Sequence, residues 1–129
     1  MNIIGVEHIS VNTNDIQKSL AFYQGILGFK PLEAVDCGDF VIHYLALPDG
    51  RRLELFDYHG NAPKVNHGES DTGLRHLAFE VKGVAAHEKE LQAAGVEITL
   101  PTCDLPNLGV RVVLFLDPNG VTLEFCEKL

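Results

Sequence analysis

Apolar and polar positions follow a regular order through the first half of the chain. Residues 3–11 alternate with a period of two, which predicts a half-buried strand. Apolar residues then recur at helical spacing from 16 to 27, after Asn14, which can cap a helix, and before Gly28, which can end one. Extended segments are expected afterwards, faintly near 32–36 and more clearly at about 39–47 and 51–57. The first half is therefore predicted to be β-α-β-β-β.

The second half repeats this order. His8 and His76 are 76 − 8 = 68 residues apart, and Glu54 and Glu124 are 124 − 54 = 70 apart. The predicted elements are a strand at 74–81, a helix at 84–94 and strands near 96–99, 110–116 and 121–126. A unit of about 55 residues buries little of its own surface. We therefore expect one domain over residues 1–129, with modules at about 1–58 and 73–129 and a polar connector at about 59–72.

Strand alternation separates an apolar face from a face that carries candidate chemistry. Leu53 and Leu55 share one side of their strand, where we expect a helix to pack, and Glu54 takes the other. The same reasoning brings four polar residues to equivalent places in the two halves: His8, Glu54, His76 and Glu124. Two imidazoles and two carboxylates suit a divalent ion such as Ni²⁺, Zn²⁺, Co²⁺, Mn²⁺ or Fe²⁺. The alternative, that they are merely solvated side chains kept by the repeat, stays open on spacing alone.

Composition narrows the range of partners. Eighteen acidic against ten basic side chains give a net charge of −8. Such a charge disfavours nucleic acid and anionic membranes as partners, and no apolar run reaches the roughly 18 residues of a membrane span. The first residues do not resemble a signal peptide, and none of the three cysteines lies in a C-x-x-C motif. We therefore expect a cytoplasmic protein with reduced thiols that acts on a small molecule.

Four segments resemble a known family. They are VEHISV at 6–11, SLAFY with LGF at 19–29, GLRHLAF at 73–79, and DPNG followed by LE at 117–124. Together they are similar to the vicinal oxygen chelate superfamily, which includes glyoxalase I, bleomycin-resistance proteins and extradiol dioxygenases. The resemblance covers essentially the whole chain.

The resemblance implies an α+β fold in which paired βαβββ modules form a partly open, eight-stranded, barrel-like sheet with helices outside. It places His8, Glu54, His76 and Glu124 at metal-ligand positions, and this set is most like that of glyoxalase I. It thus implies a homodimeric metal-dependent lyase or isomerase that acts through an enediolate on a substrate such as a methylglyoxal–thiol hemithioacetal. The resemblance implies Glu124 as the base, with Glu54 facing it across the site, and the residues themselves do not choose between the two.

Departures from the glyoxalase I pattern leave the substrate open. Asn12 stands where that pattern has a glutathione-contacting arginine, and Tyr58 stands where it has an asparagine just beyond the first metal-binding glutamate, so another thiol or another vicinal-oxygen compound fits as well. Arg52 and Arg111 are candidates to meet an anionic tail, although a strand arginine is more often solvated. Two alternatives are a metal-free small-molecule binding protein of bleomycin-resistance type and a non-haem iron dioxygenase.

Overall fold

The computed structural model describes residues 1–64, 68 and 70–129. The chain divides into two compact units, residues 1–64 and 65–129. Part of the predicted connector at 59–72 lies outside the described residues. Within the described part of the chain, no helix is both long and apolar enough to cross a membrane.

The first unit is a four-stranded sheet covered by one helical segment. Its elements are β1 (His8–Thr13), α1 (Ile16–Leu20), which continues as a π-helix (Ala21–Ile26), β2 (Lys30–Asp36), β3 (Val41–Ala46) and β4 (Arg52–Asp57). The strand order is β1-β4-β3-β2, with β1 parallel to β4 and the other pairs antiparallel. Leu45, Leu53 and Leu55 are fully buried, and α1 packs against β4. Apolar burial of this kind is the main force that holds such a unit together.

The second unit repeats this arrangement. Its elements are β5 (Leu77–Glu80), α2 (Val84–Ala93), β6 (Ile98–Leu105), β7 (Val110–Leu116) and β8 (Thr122–Lys128). The strand order is β5-β8-β7-β6, with β5 parallel to β8. Val84, Val113, Phe115 and Leu123 are fully buried in its core. The predicted α+β class and the paired βαβββ modules are confirmed.

The first helical segment covers nearly the predicted residues, from Ile16 to Ile26, and Gly28 follows it with a φ of 76° as the expected stop, but the predicted cap was wrong. Asp15, and not Asn14, caps α1, because its carboxylate accepts the backbone N–H of Lys18 at 3.1 Å. Asn14 is engaged elsewhere: its amide nitrogen donates to the Ala62 carbonyl at 2.6 Å, and its amide oxygen accepts the Ala62 N–H at 2.7 Å. The helix also widens into π geometry after Leu20, which apolar spacing does not reveal.

Strand boundaries differ for reasons of pairing. β1 begins at His8 and not at residue 3, because β4 begins at Arg52, the Cα partner of His8. Ile3 and Ile4 are therefore 82% and 96% exposed despite the alternating pattern around them. β5 likewise begins at Leu77 and not at 74, whereas β6 extends to Leu105, well past the predicted 96–99.

Candidate metal centre

Glu54 lies at the middle of β4, on the face of the first sheet opposite the helix. Its neighbours across the sheet are Ser10 in β1 and Tyr44 in β3. Its Oε2 accepts a hydrogen bond from the Ser10 hydroxyl at 3.2 Å, and Nε2 of His8 lies 3.6 Å from the same oxygen. The first unit thus brings one imidazole and one carboxylate to a common point, as the alternation predicted.

The burial of Glu54 is unusual for a residue on this face, because it is only 6% exposed. A buried carboxylate loses much of its hydration, and a neutral hydroxyl at 3.2 Å restores only part of it. Ser10 is the one residue in the described part of the chain that donates a hydrogen bond to this carboxylate. A cation at this position would supply the missing compensation, so the site fits a divalent metal on its charge balance.

Glu7 orients the His8 ring. Its carboxylate contacts Nδ1 of His8, and this hydrogen bond holds the pKa of Glu7 below its usual range. A carboxylate on one ring nitrogen fixes the proton there and leaves the other nitrogen free to bind a metal. The free nitrogen is then Nε2, the one that faces Glu54. Glu7 is therefore a supporting residue of the first pair.

The second unit forms an equivalent pair. His76 directly precedes β5, and Glu124 lies in β8, beside Leu114 in β7 and Ala78 in β5. Nε2 of His76 is 3.1 Å from Oε2 of Glu124. Nδ1 of His76 is buried and has no hydrogen-bond partner among the described residues. Buried ring nitrogens are rarely left in this state in native proteins, and an ion or solvent that belongs to the site is a recurrent reason for it.

Each pair supplies two donors of the kind that borderline divalent metals accept. Two donors are fewer than the four that zinc ordinarily takes. No group of three or more His, Cys, Asp or Glu side chains with metal-binding geometry occurs among residues 1–64, 68 and 70–129. The chemistry of the donors fits a metal, whereas a full protein shell requires ligands from more than one pair.

The surroundings of the two pairs differ. On the first sheet, Phe56 follows Glu54 on the same face, and Phe40 stacks obliquely on both Phe56 and Tyr58 with ring centroids 5.2 and 5.4 Å apart. All three aromatic rings are only partly buried. This face therefore offers an apolar surface beside a carboxylate, a combination common in small-molecule sites.

On the second sheet, the neighbours of Glu124 are aliphatic residues and a thiol. Leu114 is buried, and Cys126 follows Glu124 on the same face of β8. Burial raises the pKa of the Cys126 thiol, and the adjacent Glu124 carboxylate raises it further. Cys126 therefore stays protonated at neutral pH, as suits a small packing residue better than a nucleophile.

The two arginines named as candidates to meet an anionic tail, Arg52 and Arg111, have different surroundings. Arg111 is occupied, because Nε and Nη2 donate to the two carboxylate oxygens of Asp104 at 2.6 and 3.0 Å. Arg52 lies on the same face as Glu54, with its guanidinium carbon 4.6 Å from the centroid of the Tyr44 ring. Of the two, Arg52 alone lies beside a candidate ligand in the same unit.

The sequence analysis does not identify three residues around the His8–Glu54 pair, namely Ser10, Glu7 and Tyr44. Ser10 has a signal, since it shares its face with His8 two residues earlier. Glu7 is less visible, because a residue next to His8 in a continuous strand would point away from it; β1 begins only at His8. Tyr44 requires the register of β3 against β4, which the sequence does not contain.

Comparisons with known proteins agree with this architecture. The family model described as Glyoxalase/Bleomycin resistance protein/Dioxygenase superfamily matches residues 5–125. The uncharacterized protein YaeR of Escherichia coli (strain K12) is 34% identical over 125 residues, which cover 95% of each chain. A lactoylglutathione lyase of Haemophilus influenzae is 28% identical over 127 residues, covering 94% of this chain and 90% of the lyase. The crystal structure of a glyoxalase family protein from Enterococcus faecalis superimposes with a TM-score of 0.85 at 28% identity, covering 98% of this chain and 100% of that one. The chain belongs to the Glyoxalase/Bleomycin resistance protein/Dioxygenase superfamily.

Proposed function

We propose that the protein is a metal-dependent lyase or isomerase of glyoxalase I type that acts on a small substrate with two vicinal oxygens. The observation that carries the proposal is the repetition of one His–Glu pair in both units. Their Nε2–Oε2 distances are 3.6 Å for His8 and Glu54 and 3.1 Å for His76 and Glu124. The similarity to a lactoylglutathione lyase along most of both chains supports the same reaction class.

His8, Glu54, His76 and Glu124 are the proposed ligands of one divalent metal, which would be Ni²⁺, Zn²⁺, Co²⁺, Mn²⁺ or Fe²⁺. When bound, such an ion supplies Lewis-acid stabilisation to negative charge that develops on two neighbouring substrate oxygens. The proposal holds whether the two pairs come from one chain or from the two chains of a homodimer. Glu7 takes part as the residue that keeps His8 Nε2 free.

Glu124 is the proposed general base, which takes a proton from a substrate carbon and returns it to the neighbouring carbon. Its side chain is 14% exposed, twice the 7% of Glu54, and so is more accessible to substrate. Glu54 is tied to the Ser10 hydroxyl and is better suited to remain a fixed ligand. A positioned base of this kind contributes roughly 10²–10⁴-fold to such a reaction.

A metal-free binding protein of bleomycin-resistance type is a second candidate. The partly exposed aromatic group of Phe40, Phe56 and Tyr58 supports it, because an apolar surface retains a ligand without any chemistry. The burial of Glu54 weighs against it, since a carboxylate without a cation is a costly way to line such a pocket. An iron dioxygenase is less compatible with four protein ligands, because the fourth takes a coordination position that oxygen needs.

Elemental analysis of protein prepared without chelator tests the proposal. We expect close to one divalent ion per set of four ligands in the wild type and its loss in His76→Ala. His87→Ala is the matched control, because His87 on α2 contacts Glu90 and the ring of Phe125, which lies on the face of β8 opposite Glu124. If the wild type binds none of the five metals on reconstitution, the proposed metalloenzyme is wrong and the metal-free binding protein takes its place.

Activity is then measured with methylglyoxal and a panel of thiols. Turnover that requires the metal and falls by at least 10²-fold in Glu124→Gln supports the lyase and its base. Metal binding without turnover on any thiol would remove the glyoxalase assignment. Oxygen uptake by the iron-loaded protein with a catechol would indicate a dioxygenase instead.

A further inference from the structure

Arg52 stands on the candidate face of the first sheet, two residues before Glu54. Two residues along a strand are about 6.6 Å apart, so the guanidinium and the carboxylate are close neighbours on one surface. β1, β3 and β4 are fully described, and Arg52 is the one Lys or Arg that they carry on this face. The equivalent position of the second unit, at the start of β8, is Thr122. The repeat therefore keeps the His–Glu pairs but supplies an arginine on one side only.

The guanidinium of Arg52 lies against an aromatic ring, and its contacts with carboxylates are long. Its central carbon lies 4.6 Å from the centroid of the Tyr44 ring, a cation–π contact. Such a contact leaves N–H donors at the edge of the planar guanidinium for other partners. The Cα partner of Arg52 on β3 is Ala46, whose apolar side chain does not bind these donors, and Ala46 pairs in turn with Lys30 of β2.

The carboxylates around Arg52 are poor competitors for its donors. The nearest oxygens belong to Glu7, at 3.6 Å, and Glu33, at 3.8 Å, and both side chains are more than half exposed. Exposed ion pairs at such distances stabilise a protein by little. Arg111 shows the contrast within the same chain, since it forms a two-point contact with Asp104 at 2.6 and 3.0 Å. Arg52 is thus held against Tyr44, while no carboxylate among the described residues lies closer than 3.6 Å to its N–H donors.

We propose that Arg52 binds a carboxylate group of the substrate, so that the protein acts on anionic vicinal-oxygen compounds. A carboxylate accepts two parallel N–H bonds from a guanidinium edge, which gives both charge recognition and a fixed orientation. On β4, Arg52 lies on one side of Glu54 and Phe56 lies on the other. The substrate therefore has its anionic end at Arg52 and an apolar end toward Phe56. This inference rests on the proposed function for the reaction, although its binding step is separable from the metal.

The negative charge of Glu54 must be removed before the effect of Arg52 on anion binding can be measured. Glu54 repels an anion in the metal-free protein, whereas a bound cation offsets that charge. Glu54→Gln removes the charge at nearly constant shape and also removes a metal ligand, so it isolates the role of Arg52. In this background we measure the dissociation constants of phenylacetate and phenylacetamide by NMR titration, since the two differ mainly in charge.

We expect phenylacetate to bind at least about tenfold tighter than phenylacetamide to Glu54→Gln. The preference should vanish when Arg52→Gln is added and persist when Lys18→Gln, an equal loss of charge at an exposed helix position, is added instead. Arg52→Lys should keep part of it, because a point charge attracts the anion without the two-point contact. Equal binding of the two probes, or a preference unchanged by Arg52→Gln, overturns the proposal. Neither outcome depends on metal binding, so failure here is distinguishable from failure of the lyase assignment.

Discussion

Replacing Glu54 by glutamine should stabilise the metal-free protein and abolish its response to metal. The Glu54 side chain is 7% exposed, and its carboxylate receives one hydrogen bond, from the neutral hydroxyl of Ser10. The substitution removes a buried charge while the amide oxygen can still accept that hydrogen bond. Neutralising an under-compensated buried charge is expected to gain on the order of 1 kcal/mol.

The size of the effect follows from the length of the chain. For 129 residues at about 2.1 cal/mol/K each, the unfolding entropy is about 0.27 kcal/mol/K. A gain of about 1 kcal/mol then raises the melting temperature by about 4 °C. A metal present at 100 times its dissociation constant stabilises the wild type by about 2.7 kcal/mol, which corresponds to about 10 °C. The variant should show the first shift and lose the second.

Thermal melts by circular dichroism, with chelator and then with Ni²⁺ or Zn²⁺, measure both shifts. Glu33→Gln is the matched control, because it removes the same charge from a side chain that is 59% exposed. The control should leave the metal-free melting temperature unchanged and keep the metal response. A Glu54→Gln variant that melts lower without metal, or that keeps the full metal response, would refute the reasoning.

Two further substitutions test the supporting contacts. Glu7→Gln should weaken metal binding by roughly 10–100-fold in calorimetric titrations, because His8 Nδ1 loses the carboxylate that fixes its proton; Glu33→Gln should have no such effect. Glu127→Gln should lower the stability to urea by about 1 kcal/mol, because its carboxylate accepts the first two backbone N–H groups of the α2 region at 2.7 and 3.3 Å. Glu90→Gln, on the exposed side of α2, is the comparison, and equal losses in the two variants would contradict the capping role.

The module architecture could be predicted from the sequence because hydrophobic and polar residues alternate regularly in each module. Alternation identified the buried pair Leu53 and Leu55 and placed Glu54 opposite them, and the repeat carried the same reasoning to the second half. Both His–Glu pairs followed from these faces, and their distances within each unit agree with that placement. The convergence of the two pairs on one metal stays a proposal.

The helix cap, the start of β1 and the Arg52–Tyr44 contact could not be predicted, because each depends on tertiary contacts. Asn14 and Asp15 are both good helix caps, and only the tertiary contact to Ala62 decides which of them performs that role. The alternation that begins at Ile3 continues into β1, yet a strand needs a paired neighbour as well as a pattern. The contact between Arg52 and Tyr44 depends on register, which local sequence does not encode.

The side-chain amide of Asn14 forms two hydrogen bonds with the backbone of Ala62, in the way that a neighbouring peptide group would. These bonds join the segment after β4 to the segment after β1 as far as Ala62. Natural or engineered insertions after Ala62 should therefore leave this contact intact. Insertions between Tyr58 and Ala62 should instead break it and disturb the ring contact between Tyr58 and Phe40.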